Sequence, residues 1–205
     1  AGSVVTFDEE DASTLQGFTI ANGSAERWGG GIYCQDSSPF MLDLVVEDNW
    51  ARDIGGGIYC ALGSPRLNNV IIQNNRAGNG NGTGGGFGEI RSTPSLTNVI
   101  IRDNTAGELG GGIVAFSGTI ILENVAIVNN SARSCPGVDI FRSTGNLFTN
   151  VTIARNIGER EIAALGVRTD GEDDGRSELM LVNCIIYGNR PGRQLAVYAG
   201  FEENP

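Results

Sequence analysis

The chain has 205 residues, 24 Asp+Glu against 14 Lys+Arg, no His, and a net charge of −10. Every cation is Arg, because the sequence contains no Lys. That balance excludes nucleic acid and anionic membrane surfaces as partners, and it removes imidazole and amine chemistry, leaving carboxylates, Arg, Tyr, Ser/Thr or a bound metal for any catalysis.

Gly is abundant, 31 residues, but without the strict triplet period of collagen. No apolar run approaches the ~18 residues of a membrane-spanning helix. Ala1-Gly2-Ser3-Val4 does not read as a signal peptide, so the expectation is a mature or excised piece of a longer protein.

Residues 3–7 read as a first strand, followed by a polar turn at Glu9-Glu10-Asp11. From Leu15 a pattern Leu-x-Asn-Val-x-Ile-x-x-Asn recurs, beginning again at Met41, Leu67, Leu96, Leu122, Phe148 and Leu181. Gly-Gly-Gly-Ile recurs with it, at Gly29, Gly55 and Gly110, and with Phe87 replacing Ile after Gly84–Gly86. The steps are 55−29 = 26, 84−55 = 29 and 110−84 = 26 residues. A fixed period of this size marks a repeat whose copies bury their apolar faces only by stacking.

Aligned, the copies give apolar rows. One is Leu15, Met41, Leu67, Leu96, Leu122, Phe148, Leu181. A second runs Phe18, Leu44, Val70, Val99, Val125, Val151, Cys184, and a third Ile20, Val46, Ile72, Ile101, Ile127, Ile153, Ile186. Ile32, Ile58, Phe87 and Ile113 make a fourth. The second and third rows are two residues apart, the period of a strand. Two polar rows lie between: Asp43, Asn69, Asn98, Asn124, Asn150, Asn183, and Asn49, Asn75, Asn104, Asn130, Asn156, Asn189. Asn tolerates a left-handed corner, and stacked Asn side chains can bond one another along the axis. The fold expected is all-β, a right-handed parallel β-helix of about seven coils and roughly 34 Å, since parallel strands stack about 4.8 Å apart and parallel crossovers are right-handed. It spans residues 1–190, with 191–205 as a C-terminal tail that caps the last coil or packs on the solenoid.

The pattern breaks in three places. Cys135-Pro136-Gly137-Val138-Asp139-Ile140 stands where a fifth glycine triplet belongs. Strict alignment puts Asp139 in an apolar row; a one-residue slip, the expectation here, puts Val138 and Ile140 inside. The coil after Asn156 is longer, 189−156 = 33 residues, and carries the acidic loop 170–176. Gly78–Thr83 holds a three-residue insertion, the difference between the steps of 29 and 26.

Gly-Gly-Gly-Ile-Tyr-Cys, then Ser-Pro, then Asn-Val-x-Ile-x-x-Asn resembles the right-handed β-helix repeats of the pectin-lyase-like superfamily. More narrowly it is similar to the repeats of polymorphic outer-membrane adhesins. The resemblance covers about residues 15–190. It implies a secreted or cell-surface location and contact with a polysaccharide or surface glycan. The function expected is an extracellular β-helix module for adhesion or carbohydrate contact, non-catalytic, without a cofactor. The alternative is a polysaccharide-active enzyme, a uronate lyase or glycoside hydrolase, working with Arg and carboxylates.

Four residues stand out as candidate ligand contacts. Tyr33 and Tyr59 share an outward row on neighbouring coils, where they form either a sugar platform or a packing pair. Glu89 aligns with Cys34, Cys60 and Ala115, an inward row, where a lone carboxylate is costly. The expectation is a bulge that turns Glu89 outward and Ile90 inward; if Glu89 stays inside, such rule-breaking marks a site, with Arg91 as its partner. The corner row Asp48, Asn74, Asp103, Asn129, beside Glu47 and Arg102, offers oxygen ligands for Ca²⁺ or solvated turns. As an acid–base pair, Asp48 and Asp103 would lie roughly 10 Å apart, at the limit of inverting geometry. The acidic loop resembles a Ca²⁺ loop in composition only.

An outward row Thr19, Val45, Ile71, Ile100, Ala126, Thr152, Ile185 is largely apolar. It implies a cover, whether Leu195–Tyr198, a neighbouring domain or a second copy, or else it reflects strand propensity alone. Cys34 and Cys60 stack within disulfide range but are expected as a reduced ladder. Four Asn-x-Ser/Thr triplets, at Asn22, Asn81, Asn129 and Asn150, are expected by chance in an Asn-rich repeat.

Overall fold

The computed structural model describes residues 2–9, 12–78, 80–160, 164–169 and 176–198. Among these there is no helix, and every strand pair is parallel. The chain is a parallel β-solenoid. Each coil contributes one strand to each of four sheets, which hold eight, seven, seven and six strands. The second coil shows the plan: Ile32–Gln35 in the first sheet, Phe40–Leu42 in the second, Val45–Glu47 in the third, Trp50–Ala51 in the fourth.

Register follows the repeat. Ile32 pairs with Ile58, and Phe87 with both Ile58 and Ile113. Met41 pairs with Leu67, and Val46 with Ile72. These inward rows form one continuous core. Each Ile or Leu so enclosed contributes about 1.5–3 kcal/mol of apolar burial. Phe18 departs from its row: it is 57% exposed, whereas Leu44 in the next coil is 1% exposed. Phe18 belongs to the first coil, and its strand forms an edge of the third sheet, so a coil packs on one side of it alone.

Four corners close each coil, and each uses left-handed backbone. Asp43, Asn69, Asn98, Asn124, Asn150 and Asn183 turn the second sheet into the third, with φ between 53° and 56°. Asp48, Asn74, Asp103, Asn129 and Arg155 turn the third into the fourth. Asn and Asp occupy this region at little cost because a short polar side chain can bond locally. Gly29, Gly55, Gly84 and Gly110 turn the fourth sheet back to the first, and Cys135 takes the same role at φ 48° in the fifth copy. The two glycines that follow answer to packing rather than φ. A Cβ on Gly56 would sit 2.4 Å from the carbonyl carbon of Arg76. One on Gly57 would sit 2.9 Å from the Asn75 amide.

That amide belongs to a buried Asn ladder. The Nδ2 of Asn49 donates to Oδ1 of Asn75 at 3.0 Å, and the chain continues through Asn104, Asn130, Asn156 and Asn189. Every Nδ2 also donates to a backbone carbonyl of the third sheet, for example Ile72 O from Asn104. From Asn75 onward each Oδ1 accepts a second bond from the preceding Asn backbone amide, and the Asn49 Oδ1 accepts from the Gly23 amide. The last Nδ2 donates to Oε1 of Gln194. All four hydrogen-bonding positions of each inner Asn side chain are thereby filled, as a buried amide requires.

Leu195–Tyr198 forms the last strand of the first sheet, in register with Leu165–Arg168. It is therefore not the cover of the apolar stripe on the third sheet. That stripe faces outward as aligned, with Ile100 41% and Ile185 60% exposed.

Candidate functional site

The outer face of the first sheet gathers most of the unusual side chains. Tyr33 and Tyr59 are directly paired across neighbouring strands, so their rings stack, with centroids 5.6 Å apart and planes 15° from parallel. Trp28 joins them. Its ring centroid lies 5.5 Å from that of Tyr59 and 6.4 Å from that of Tyr33, nearly parallel to both. Trp28 comes just before the left-handed Gly29, and that turn folds it back over the sheet. Ile54, one coil on, takes the equivalent place over Gly88, whose Cβ would stand 2.5 Å from the Ile54 Cγ2.

The stack is rimmed by charge. The Arg27 guanidinium sits 4.2 Å from the Trp28 ring centroid and 3.6 Å from Asp53, which also pairs with Arg52 at 3.2 Å. Tyr59 is buried, and burial first, then its neighbours Tyr33, Cys60 and Glu89, push its phenol up to about 12. Tyr33 stays partly open; burial and the nearby Asp8 and Asp36 raise its phenol too. The available contact surface is therefore the half-buried Trp28 and Tyr33 with the Arg27, Gln35 and Asp53 rim, while Tyr59 supports it from below.

Glu89 is not on this face. It stays in strict register between Cys60 and Ala115, fully buried, and Ile90 is the half-buried outward neighbour. The expected bulge does not form. The strand accommodates the carboxyl instead, because its Oε2 accepts from both the amide and the hydroxyl of Ser92 at 3.1 Å. Space comes from Gly118: a Cβ there would lie 2.3 Å from that same Oε2. Burial raises the Glu89 carboxyl to about 8, with the Ser92 and Phe116 bonds pulling the other way, so the group is largely protonated at neutral pH. Oε1 has no hydrogen-bond partner. Arg91 is exposed at a left-handed corner with φ 50°, and among the described residues no ion pair joins it to Glu89. The four residues singled out by sequence thus split three ways: two in the stack, one in the core, one on a corner.

The fifth copy holds a second buried carboxylate. Val138 and Ile140 point inward, as the one-residue slip predicts. Asp139 therefore lies on the outer row yet is fully buried, gripped by Arg168, whose Nε and Nη2 bond the two carboxylate oxygens at 2.6 and 2.5 Å. Arg168 also lies over the Phe141 ring, 5.2 Å from its centroid, and Phe141 meets Phe116 edge-on. Cys135 abuts this pair, and burial with the Asp139 charge drives its thiol far up, which makes it a poor nucleophile.

Other carboxylates are similarly committed. Glu108 binds Arg133 at 2.9 Å and Arg160 at 3.2 Å. Gln73 donates to Glu47 and accepts from Arg102, which also approaches Asp103 at 3.9 Å. The corner row Asp48–Asn129 is a set of left-handed turns. Among the described residues no group of three or more His, Cys, Asp or Glu converges as a metal site; residues 170–175 of the acidic loop lie outside the described set. Cys34 and Cys60 are paired in register as buried free thiols, and Cys184 is free.

No protein-family model matches the chain, and neither a curated protein nor a solved structure does.

Proposed function

We propose that the chain is a secreted or cell-surface β-helix module of the pectin-lyase-like kind, similar to polymorphic outer-membrane adhesin repeats, that contacts carbohydrate without transforming it. The observation that carries this reading is the Trp28–Tyr33–Tyr59 stack with its charged rim. Flat aromatic surface beside fixed donors and acceptors suits a sugar, which has an apolar ring face and hydroxyls at its edge. A rigid wall supports it: the rings ride on strands locked in register, so little ordering entropy is lost on contact.

The non-catalytic part rests on how the acids are held. A working acid–base pair needs two carboxyls facing one gap with separated pKa values. Here the strongly raised carboxyl, Glu89, faces the core, enclosed on all sides. Asp53, Glu108 and Asp139 are each bound to Arg. Trp28 and Trp50 are the two tryptophans, so fluorescence reports the site. Titration with neutral and acidic oligosaccharides should change the emission saturably, and Trp28→Ala should abolish binding while leaving the thermal midpoint within a few degrees. Undiminished binding by Trp28→Ala would move the contact elsewhere.

A further inference from the structure

A different place on the wall carries an inference beyond this reading. Where the third sheet turns into the fourth, the corner row reads Asp48, Asn74, Asp103, Asn129, Arg155, Gly188. The first four are acidic or amide; the sixth coil brings an Arg and the seventh has no side chain at all. A Cβ at Gly188 would touch the Arg155 stem at 3.9 Å, so the glycine leaves the space over that stem open. The result is a cavity of about 400 Å³, lined by Asn129, Arg155, Ile157, Tyr187 and Arg190 along with Gly188 and Asn189.

Its chemistry is one-sided. Among the described residues none that lines it is acidic. Among the described residues neither Arg155 nor Arg190 has an ion pair or a side-chain hydrogen bond, in a protein whose net charge is −10. Six other arginines, Arg27, Arg52, Arg102, Arg133, Arg160 and Arg168, do meet carboxylates. Arg155 is fixed by its left-handed corner, φ 57°, and by its amide bond to Tyr187 O; Arg190 is fixed through its amide bond to Asn156 O. Beside the cations stand the exposed Tyr187 and Ile157, 66% and 57% accessible.

We propose that this groove binds a tetrahedral dianion, with Arg155 and Arg190 as its ligands and Asn129 as a neutral hydrogen-bonding group at the rim. Two guanidiniums match a doubly charged phosphate or sulfate in both charge and fork geometry. Tyr187 and Ile157 supply an apolar flank, so the dianion can arrive free or, for phosphate, as a monoester on a sugar ring, which would pack there. Distance along the solenoid separates this groove from Trp28: the aromatic stack lies in the second and third strands of the first sheet, and the groove in the last coils.

The test is NMR of the arginine Nε–Hε signals in the intact chain, at constant ionic strength held with chloride. Inorganic sulfate and glucose 6-phosphate are titrated separately. The expected result is a saturable shift of the Arg155 and Arg190 signals with both probes. Equal affinity means that the free ion is recognised; at least tenfold tighter binding of the sugar phosphate means that the flank contributes, and Tyr187→Ala then removes that gain. The double variant Arg155→Gln/Arg190→Gln should weaken both probes at least tenfold, whereas Arg66→Gln on the second sheet should not. Both arginines are exposed and have no side-chain partner among the described residues, so the double variant should keep the wild-type melting midpoint. Absence of a saturable shift, or an unchanged affinity in the double variant, overturns the proposal, whatever happens at Trp28.

Discussion

Replacing Glu89 by Gln should remove one buried site's contribution to the pH dependence of stability. In the folded chain the carboxyl titrates at about 8, against 4.5 when unfolded. The folded state therefore holds its proton more tightly than the unfolded one. Stability from this group is fully present below the unfolded value and is lost as pH rises through the folded one. At 1.36 kcal/mol per pH unit the loss amounts to about 3 kcal/mol by pH 7 and about 5 kcal/mol by pH 9. Gln fills the same space and does not titrate, but its NH₂ group takes the place of Oε1, which has no hydrogen-bond partner, and this costs about 1–3 kcal/mol at every pH. The two curves should cross. Wild type is the more stable near pH 5, and Glu89→Gln is the more stable by about 2–4 kcal/mol at pH 9. Urea unfolding followed by tryptophan emission at pH 5, 6, 7, 8 and 9 measures the difference directly, and taking the difference cancels all groups common to both chains. A difference that stays flat across this range would mean that Glu89 is ionised and solvated in the folded state, contrary to its placement.

Five further substitutions probe the frame. Asn104→Ala removes a ladder rung and strands the Ile72 carbonyl, the Asn75 amides and one bond to Asn130; a loss of about 3–5 kcal/mol is expected by chemical denaturation, from several buried groups left unpaired at once, and a loss below ~1 kcal/mol would deny the ladder its role. Arg168→Met leaves the buried Asp139 charge alone and should cost about 3–5 kcal/mol, while Arg168→Met with Asp139→Leu should recover most of it in a double-mutant cycle. Gly56→Ala and Gly88→Ala separate two kinds of glycine: the first would press on backbone of Arg76 and Gly85, the second on the rotatable Ile54 side chain. The first should lower the melting midpoint severely and the second by only a few degrees.

The period-two rows and their steps of 26 and 29 residues were enough to place the core, since alternate positions of a strand face opposite sides and the rows apolar in nearly every copy mark the inner one. Cys34 with Cys60, and Val138 with Ile140, follow from the same logic. What escaped it depends on compensation between coils. Glu89 remains inside because Ser92 bonds it and Gly118, a coil away, lacks a side chain; no row viewed alone carries that pairing. Asp139 is buried on an outward row because Arg168 closes over it. Trp28 falls outside the apolar rows, in a column that reads Trp28, Ile54, Thr83, Leu109, Ser134. Its one signal was position: the residue before a left-handed glycine is thrown back across the sheet. Phe18 fits its row by residue type and misses it by location, since an end coil has one neighbour.

The central claim is contact without turnover. The direct measurement incubates the protein with whichever oligosaccharide quenches or shifts Trp28 emission, then assays the same sample for bound glycan, new reducing ends and ultraviolet-absorbing unsaturated uronate. Contact without turnover predicts glycan that is bound and recovered intact. New reducing ends or an unsaturated product that grows with time and protein concentration would contradict it.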